Sequence, residues 1–224
     1  MHGLLAGDIA MRTQIRIVAG SLRGRKLTCT VSESLRPTPQ RVREALFSIL
    51  GDAVPGRAFF DVFAGTGVVG LEAISRGATL ATFVERDFRL IDELERHLKT
   101  FKVGSSARIL RTDVYRWAER WQPPREAVNV FLSPPFADLE GKPDALLAVV
   151  EGMQQRLAPD SVLTLQAEKC PMLLRLPDRL GWDERVYGRN HLLFWVKPGT
   201  ETVLQADEAP STPEEDDEER GADS

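Results

Sequence analysis

Residues 58–70, AFFDVFAGTGVVG, decide the fold because they join an apolar run to a glycine-rich turn and the start of a helix. The run is short and mostly apolar, which suits a strand in the middle of a sheet. Gly65, Gly67 and Gly70 follow it with the spacing G-x-G-x-x-G. Glycines let the backbone approach a ligand closely, and the first N–H groups of a helix point towards that ligand. The segment therefore predicts a ligand site at the end of a central strand.

Strands and helices alternate after this turn. The apolar patterns predict strands at 58–63, 82–85, 107–110, 127–132 and 161–167, with helices at 67–76, 88–101, 114–121 and 143–157. Such alternation indicates βαβ units and a parallel sheet covered on both faces. Residues 183–197 differ, because they read as two strands joined by Gly188-Arg189-Asn190, a hairpin signal. We predict an α/β, Rossmann-like fold: a mostly parallel seven-stranded sheet with a C-terminal antiparallel hairpin, which is typical of class I methyltransferases.

A smaller unit precedes this sheet. Residues 15–19 and 25–31 are predicted to form a β-hairpin around Arg23-Gly24. Thr38 is predicted as the N-cap of a helix with Pro39 at its first position. The apolar face of that helix comprises Val42, Ala45, Leu46, Ile49 and Leu50, and Gly51 ends it. Arg41 and Arg43 fall off this face, so we expect them to meet solvent or a ligand.

The composition divides the chain into four segments. We predict a flexible N-terminus at 1–14, a basic hairpin extension at 15–35, a methyltransferase domain at 36–199 and an acidic disordered tail at 200–224. Residues 201–224 hold ten acidic side chains and one arginine, whereas the first 200 residues hold 28 basic and 23 acidic side chains. The tail sequence EAPSTPEEDDEERGADS has no aromatic side chain and no aliphatic one larger than alanine, so it cannot offset its ordering entropy by burial.

The basic charge is concentrated near the start, with a net of +7 between residues 12 and 43. Lysine and arginine at this density neutralise nucleic-acid phosphates. The alternative is a solvated strand face. We predict that Arg23, Arg25 and Lys26 hold RNA phosphates. The residues expected to border the same path are Arg36, Arg41 and Arg43.

Several classes of protein are disfavoured. Cys29 and Cys170 have neither metal-ligand spacing nor a disulfide framework, so we expect reduced thiols and no metal. No apolar run approaches the roughly 18 residues that a membrane span needs. Residues 1–12 make a poor signal peptide. A cytoplasmic protein without membrane contact is the expectation.

Acidic residues at strand ends distinguish two interpretations of the glycine turn. A nicotinamide or flavin enzyme would use the turn for a pyrophosphate, and Glu85, about 20 residues on, would bind ribose hydroxyls in either case. Asp61 sits just before the turn, where a pyrophosphate site has no use for a carboxylate. S-adenosylmethionine instead carries a cationic amino group that Asp61 can anchor. Asp113 is placed to accept the adenine amino group, or to cap a helix, or both. The residues predicted to bind S-adenosylmethionine are Thr38, Asp61, Phe63, Ala64, Gly65, Gly67, Glu85, Arg86, Asp113 and Val114.

The fourth predicted strand of the sheet ends at Ser133-Pro134-Pro135-Phe136, and these four residues are the predicted catalytic set. Two acceptors that hold both N–H bonds of an exocyclic amine can localise its lone pair and aim it at a methyl donor. The Pro134 carbonyl is one acceptor and the Ser133 hydroxyl is a candidate second. The Phe136 ring can stack on a splayed-out base. The alternative is a plain X-Pro-Pro turn.

These motifs resemble one family. The pattern [N/D/S]-P-P-[Y/F/W] resembles methyltransferases that act on exocyclic amino groups of bases, and the wider chain resembles the RsmD-type 16S rRNA guanine-N2 methyltransferases. The segments that carry the resemblance, within residues 15–197, are RIVAGSLRGRKL (16–27), RPTPQRVREALFSIL (36–50), DVFAGTGVVGLEAISRGA (61–78), FVERD (83–87) and YGRNHLLFW (187–195). The chain departs from the family at Ser133, where aspartate or asparagine is usual.

The resemblance implies transfer of a methyl group from S-adenosylmethionine to N2 of a guanine in 16S rRNA, within the small ribosomal subunit or its assembly intermediate, by a monomer. Three alternatives stay open: an amino-methyltransferase acting on another base or on DNA, an RNA-binding homologue that has lost activity with the acidic residue, and a nicotinamide oxidoreductase.

Overall fold

The computed structural model describes residues 11–32 and 35–199. Its strands are β1 Met11–Arg16, β2 Lys26–Val31, β3 Ala58–Val62, β4 Leu80–Glu85, β5 Ala107–Arg111, β6 Asn129–Leu132, β7 Val162–Glu168, β8 Trp182–Tyr187 and β9 Asn190–Val196. Its α-helices are α1 Gln40–Leu50, α2 Val68–Ser75, α3 Phe88–Phe101, α4 Val114–Arg120, α5 Phe136–Gly141 and α6 Pro143–Arg156. The acidic tail predicted at 200–224 and the first ten residues lie outside the described part of the chain.

Seven strands form one sheet in the order β5-β4-β3-β6-β7-β9-β8. The first five are parallel, and β9 runs antiparallel to both β7 and β8. This confirms the predicted sheet with its terminal hairpin. β3 lies between β4 and β6, so the chain reverses its direction of winding there. Ligands of open α/β sheets bind outside the carboxyl ends of the strands at such a point.

Apolar side chains cover both faces of the sheet. One cluster packs α1, α2 and α3 against the sheet and includes Leu46, Leu71 and Phe83. The second packs α4 and α6 against the other face and includes Val130 and Met153. The central strands are buried on both faces, as their continuous apolar sequences predict. No helix among residues 11–32 and 35–199 is long and apolar enough to cross a membrane.

The N-terminal hairpin begins earlier than the sequence suggests. β1 starts at Met11 and pairs with β2 as far as Val31, so residues 11–14 form a strand rather than part of a flexible N-terminus. The predicted start at residue 15 was wrong. Residues 11–14 are mostly polar and exposed, so their sequence gives no apolar alternation that would indicate a strand. The backbone ladder with β2 extends the strand without help from an apolar face.

The hairpin loop is docked tightly against α2. The N–H groups of Ser21 and Leu22 donate to the carbonyl and hydroxyl of Ser75, at 2.7 and 2.9 Å. Gly20 has a φ of +80°, and a Cβ there would lie 1.8 Å from the Ser75 carbonyl oxygen. Only glycine therefore permits this close approach. The extension is fixed to the main domain at this point.

The start of α1 also differs from the prediction. Pro39 is the N-cap, and no side chain caps the helix. The hydroxyl of Thr38 instead donates a 2.8 Å hydrogen bond to Gln166 on β7. Thr38 was wrongly predicted as the cap because the sequence does not reveal that β7 offers it a partner. The predicted end at Gly51 is confirmed, with a φ of 45°.

Arg43 is buried rather than free, which corrects the prediction that it meets solvent or RNA. Its side chain is 1% exposed, and its Nε lies 3.1 Å from a carboxylate oxygen of the fully buried Glu72. The other guanidinium nitrogens donate to the carbonyls of Thr38 and Arg16. Glu72 also accepts from the Val18 N–H. The pair thus joins α1, α2 and the N-terminal hairpin inside the core.

Candidate active site

The carboxyl ends of the parallel strands open into one cleft of about 1130 Å³. The predicted cofactor and catalytic residues that line it are Thr38, Asp61, Phe63, Ala64, Gly65, Glu85, Arg86, Asp113, Val114, Ser133, Pro134, Pro135 and Phe136. Of the predicted RNA-binding residues, Arg36 lines the same cleft. The prediction that the glycine turn and the Ser-Pro-Pro-Phe segment line the same cleft is confirmed.

The glycine turn is held open by Glu85. One Glu85 carboxylate oxygen accepts from the Gly65 N–H at 2.9 Å, and the other accepts from the N–H groups of Arg86 and Asp87. Phe63 adopts a left-handed φ of 61°, which is uncommon for a bulky residue and concentrates at functional sites. The turn and the end of β4 are thus locked in one arrangement facing the cleft.

Two of the three glycines serve packing. Gly67 does not line the cleft, and a Cβ there would lie 2.6 Å from Leu94 of α3. A Cβ at Gly70 would lie 2.3 Å from the ring of Phe83. Gly67 therefore faces α3 rather than the cleft, and its predicted contact with the cofactor stays a prediction. Gly65, with a φ of 54°, is the glycine at the cleft.

Asp61 lies at the floor of the cleft and is 1% exposed. Its carboxylate accepts the N–H of Gly70 at 2.9 Å. Burial raises the pKa of Asp61 to about 7, an effect that the Gly70 hydrogen bond opposes and the charge of Glu85 reinforces. A cation bound near such a buried carboxylate would favour its ionised form.

Asp113 caps α4. Its carboxylate accepts from the N–H groups of Tyr115 and Arg116 at 3.0 and 3.3 Å. The helix-cap role is therefore confirmed. The other carboxylate oxygen lies 3.4 Å from the guanidinium of Arg86, and both residues line the cleft.

Ser133 and Pro134 present unused acceptors. Within the described chain, the Ser133 hydroxyl and the Pro134 carbonyl oxygen have no hydrogen-bond partner, while the Ser133 N–H donates to Val62. The Pro135 carbonyl differs, because it accepts the N–H groups of Asp138 and Leu139 at the start of α5. Both acceptors predicted from the sequence are thus free of protein partners in the described part of the chain, and both residues line the cleft.

Phe136 is the first residue of α5 and is 50% exposed. A large apolar ring with half its surface in a cleft offers a face for a planar ligand. Two residues further on, Asp138 is buried and accepts a 2.7 Å hydrogen bond from the phenol of Tyr115 on α4. The ring of Tyr115 in turn contacts Phe63 edge-on, with 6.0 Å between centroids.

Sequence reasoning missed a row of amides on the opposite wall. Gln166 accepts from Thr38 and donates to the side-chain oxygen of Asn190 at 3.1 Å, and both amides line the cleft. Arg189 and Glu168, also at the cleft, form an ion pair of 2.7 Å. A polar residue inside the apolar strand SVLTLQA was the available signal for Gln166.

The remaining predicted RNA-binding residues lie outside the cleft. Arg23, Arg25 and Lys26 are exposed on the hairpin, and Arg41 is exposed on α1. The Arg25 guanidinium lies 5.6 Å from the centre of the Phe101 ring of α3. No metal-binding cluster occurs within residues 11–32 and 35–199, and both cysteines are free.

Comparison with known proteins identifies relatives of this chain. The family model described as "Conserved hypothetical protein 95" matches residues 15–196. A relative from Bacillus subtilis, named "Putative rRNA methyltransferase YlbH", is 34% identical over 191 residues, covering 83% of this chain and all of that protein. "Ribosomal RNA small subunit methyltransferase D" of Escherichia coli is 42% identical over 123 residues, covering 55% of this chain and 61% of that protein.

Solved structures of methyltransferases also superpose on this chain. The "Putative methyltransferase yhhF from Escherichia coli" superposes with a TM-score of 0.67 at 31% identity, covering 84% of this chain and all of that one. A Thermus thermophilus 16S rRNA N2 G1207 methyltransferase (RsmC), solved with AdoMet and guanosine, superposes with a TM-score of 0.63 at 22% identity, covering 87% of this chain and 52% of that one, and shares the fold. The match over residues 15–196 and the full-length bacterial relative together place this chain in the "Conserved hypothetical protein 95" family, the RsmD family of class I methyltransferases.

Proposed function

We propose that this protein transfers the methyl group of S-adenosylmethionine to N2 of a guanine in 16S rRNA. The observation that carries the proposal is the meeting of Ser133-Pro134-Pro135-Phe136 with the glycine turn in one cleft. The name of the Bacillus relative supports methylation of rRNA, and the name of the Escherichia coli relative supports the small subunit as its source. The choice of guanine N2 rests on the resemblance of the sequence motifs.

The donor groups of the cleft fit S-adenosylmethionine. This molecule supplies an electrophilic methyl group on a sulfonium, together with an ammonium group, a ribose and an adenine. Three carboxylates line the cleft. Asp61 and Glu85 lie at the carboxyl ends of β3 and β4, and Asp113 precedes α4. Asp61 suits the ammonium group because a cation would favour its ionised form. Glu85 suits the ribose hydroxyls, since carboxylates accept their hydrogen bonds.

The residues on the other side of the cleft suit the target amine. Ser133 Oγ and the Pro134 carbonyl oxygen accept the two amine hydrogens and turn the nitrogen lone pair towards the methyl carbon. Phe136 stacks on the base. The nitrogen gains the methyl group as the C–S bond breaks, the sulfur leaves as a neutral thioether, and the amine loses one proton to solvent.

The basic residues of the N-terminal hairpin suit the rest of the RNA. Arg23, Arg25 and Lys26 are exposed, and the first two flank a tight turn with Gly24 at a φ of +83°. Arg36 lies between this hairpin and α1 and lines the cleft. We propose that phosphates follow this path towards the target base, with Arg43 excluded because it is buried against Glu72.

Two other functions compete with this proposal. An amino-methyltransferase acting on another base or on DNA would use the same acceptors, and serine stands at this position in related enzymes that act on cytosine N4. An RNA-binding homologue without transferase activity would keep the cleft but transfer nothing. The Ser133 hydroxyl has no partner within the described part of the chain, so it stays available to a target amine, as an active enzyme requires.

Transfer of labelled methyl groups to isolated small-subunit rRNA tests the proposal through Phe136. We expect Phe136→Ala to reduce transfer by about 5- to 150-fold, the equivalent of removing one base–aromatic stack. Phe88→Ala is the matched control, because Phe88 is 66% exposed but does not line the cleft. Equal transfer by both variants and the natural chain would contradict the proposed role of the motif.

A further inference from the structure

A second groove of about 1000 Å³ lies on the face of the sheet that α4 and α6 cover. α4 has only seven residues, so it leaves the edge strand β5 and part of β4 uncovered on that face. Side chains of β3, β4, β5, α4 and the following loop line the groove. It is distinct from the cleft described above, with which it shares no lining residue.

The floor of the groove is aromatic. Trp117 and Trp121 have ring centroids 5.2 Å apart, and Phe60 lies 5.1 Å from Trp121 and 6.4 Å from Trp117. Phe60 and Trp121 are buried, whereas Trp117 is half-buried and presents ring surface to the groove. An indole supported from behind by two other rings is a rigid stacking platform.

The rim of the groove is basic. Arg108, Arg116 and Arg120 are exposed, and none of them forms an ion pair or side-chain hydrogen bond with another residue of the described chain. Glu119 is the one acidic side chain among the lining residues. By contrast, Arg111, the next residue of β5 to carry a positive charge, is paired with Glu95 at 2.8 Å. The groove therefore has an unneutralised positive rim above an aromatic floor.

α4 is the wall that separates the groove from the active-site cleft. Asp113 and Val114 at its start line the cleft, while Arg116, Trp117 and Arg120 line the groove. A linear ligand that leaves the cleft over the start of α4 would reach the groove within one or two turns of that helix.

We propose that this groove binds a single-stranded segment of the RNA substrate, with one base stacked on Trp117 and its phosphates on Arg108, Arg116 and Arg120. Positive charge along the backbone path combined with an aromatic platform is the chemistry that holds single strands without reading their sequence. The charge of the rim is complementary to RNA. That the RNA is small-subunit rRNA rests on the proposed function.

The test is the affinity of the full chain for small-subunit rRNA, measured by filter binding over a range of salt concentrations. We expect the double variant Arg116→Gln/Arg120→Gln to reduce the salt slope by about 0.7 for each single-strand phosphate that is no longer neutralised. Trp117→Leu should weaken binding by about 5- to 150-fold at fixed salt. Ultraviolet crosslinking should recover the peptide that contains Trp117 attached to RNA.

Arg185→Gln is the matched control, because Arg185 is exposed on β8 at the opposite edge of the sheet. An unchanged slope and affinity in the double arginine variant would overturn the proposal. So would loss of a dimer in that variant without loss of RNA affinity, which would assign the groove to a second copy of the chain. Since binding rather than methyl transfer is measured, a failure of the groove and a failure of the proposed reaction give different results.

Discussion

The phenol of Tyr115 donates a 2.7 Å hydrogen bond to the carboxylate of Asp138, and this bond joins the two sides of the active-site cleft. Tyr115 belongs to α4, which is capped by Asp113, the residue proposed to bind adenine. Asp138 belongs to α5, which starts at the proposed base-stacking Phe136. Burial raises the pKa of Tyr115, and the bond to Asp138 acts in the same direction, so the phenol stays a neutral donor. The bond therefore links the proposed cofactor side of the cleft to the proposed base side.

Removing this bond should impair transfer more than cofactor binding. We expect Tyr115→Phe to lower kcat for methyl transfer by about 10- to 150-fold, the equivalent of one hydrogen bond to a charged group, because α5 and Phe136 lose their anchor. Calorimetry should find S-adenosylmethionine affinity within about twofold of the natural chain. Tyr187→Phe is the control, since the other tyrosine makes no side-chain hydrogen bond within residues 11–32 and 35–199. A Tyr115→Phe variant with unaltered kcat would show that the bond does not position Phe136.

Cofactor affinity should depend on the ionisation of Asp61. Burial raises the pKa of Asp61 to about 7, so its ionised fraction rises from about a tenth at pH 6 to about a half at pH 7. Since the ionised form attracts the ammonium group, we expect calorimetry to show binding about fivefold tighter at pH 7 than at pH 6. Asp61→Asn should bind weakly at both pH values, and the exposed Asp52→Asn should behave like the natural chain.

The same carboxylate makes a prediction for stability. Its folded-state pKa lies above the ordinary value of 3.8, so the folded chain binds the proton more tightly than the unfolded chain between about pH 4 and pH 7. The contribution of Asp61 to the free energy of unfolding therefore falls as pH rises through that window. Denaturant unfolding of Asp61→Asn should lack this decline. A decline of equal size in both proteins would place the titrating group elsewhere.

Docking of the basic hairpin should depend on Gly20 more than on Gly24. Both have φ near +80°, but a Cβ at Gly20 would meet the Ser75 carbonyl at 1.8 Å, whereas a Cβ at Gly24 would meet nothing within 4 Å. We expect Gly24→Ala to cost about 1–2 kcal/mol of strain. Gly20→Ala should cost more and should also weaken RNA binding, because the hairpin can no longer approach α2. Equal unfolding free energies and equal RNA affinities for the two variants would contradict the docking role of Gly20.

Ser133 should contribute one hydrogen bond to the reacting amine. Ser133→Ala loses a neutral acceptor worth about 0.5–1.5 kcal/mol, so we expect transfer to slow by roughly three- to tenfold. Ser133→Asp supplies a charged acceptor and should keep or raise transfer to guanine. Ser48→Ala, at an exposed position of α1, is the control. Transfer rates that do not differ among the natural chain and the two Ser133 variants would remove Ser133 from the mechanism.

Much of the fold follows from local patterns. The helix predicted at 88–101 is α3 with the same bounds, because its apolar face recurs at helical spacing and Asp87 caps it. The strand order around β3 follows from the alternation of strands and helices with the glycine turn. The six-residue α5 was not predicted, since two prolines indicate a turn and so short a helix shows no periodicity.

Two errors of prediction, at Arg43 and Thr38, share one physical cause, which is a partner distant in sequence. Arg43 is buried because Glu72, 29 residues away, sits inside an otherwise apolar helix and needs a charge partner. Thr38 does not cap α1 because its hydroxyl donates to Gln166, which lies 128 residues further along the chain. The composition of VVGLEAIS could have signalled the need for a partner of Glu72, but nothing local indicates which arginine supplies it.

The identity of the methylated nucleoside tests the central claim most directly. Small-subunit rRNA incubated with the natural chain and S-adenosylmethionine labelled in its methyl group would be digested to nucleosides and analysed by mass spectrometry. We predict that the label appears in N2-methylguanosine and that Phe136→Ala greatly reduces it. Label in a methylated cytidine or adenosine would contradict guanine N2 as the target atom, and the absence of label from every nucleoside would contradict the transferase itself.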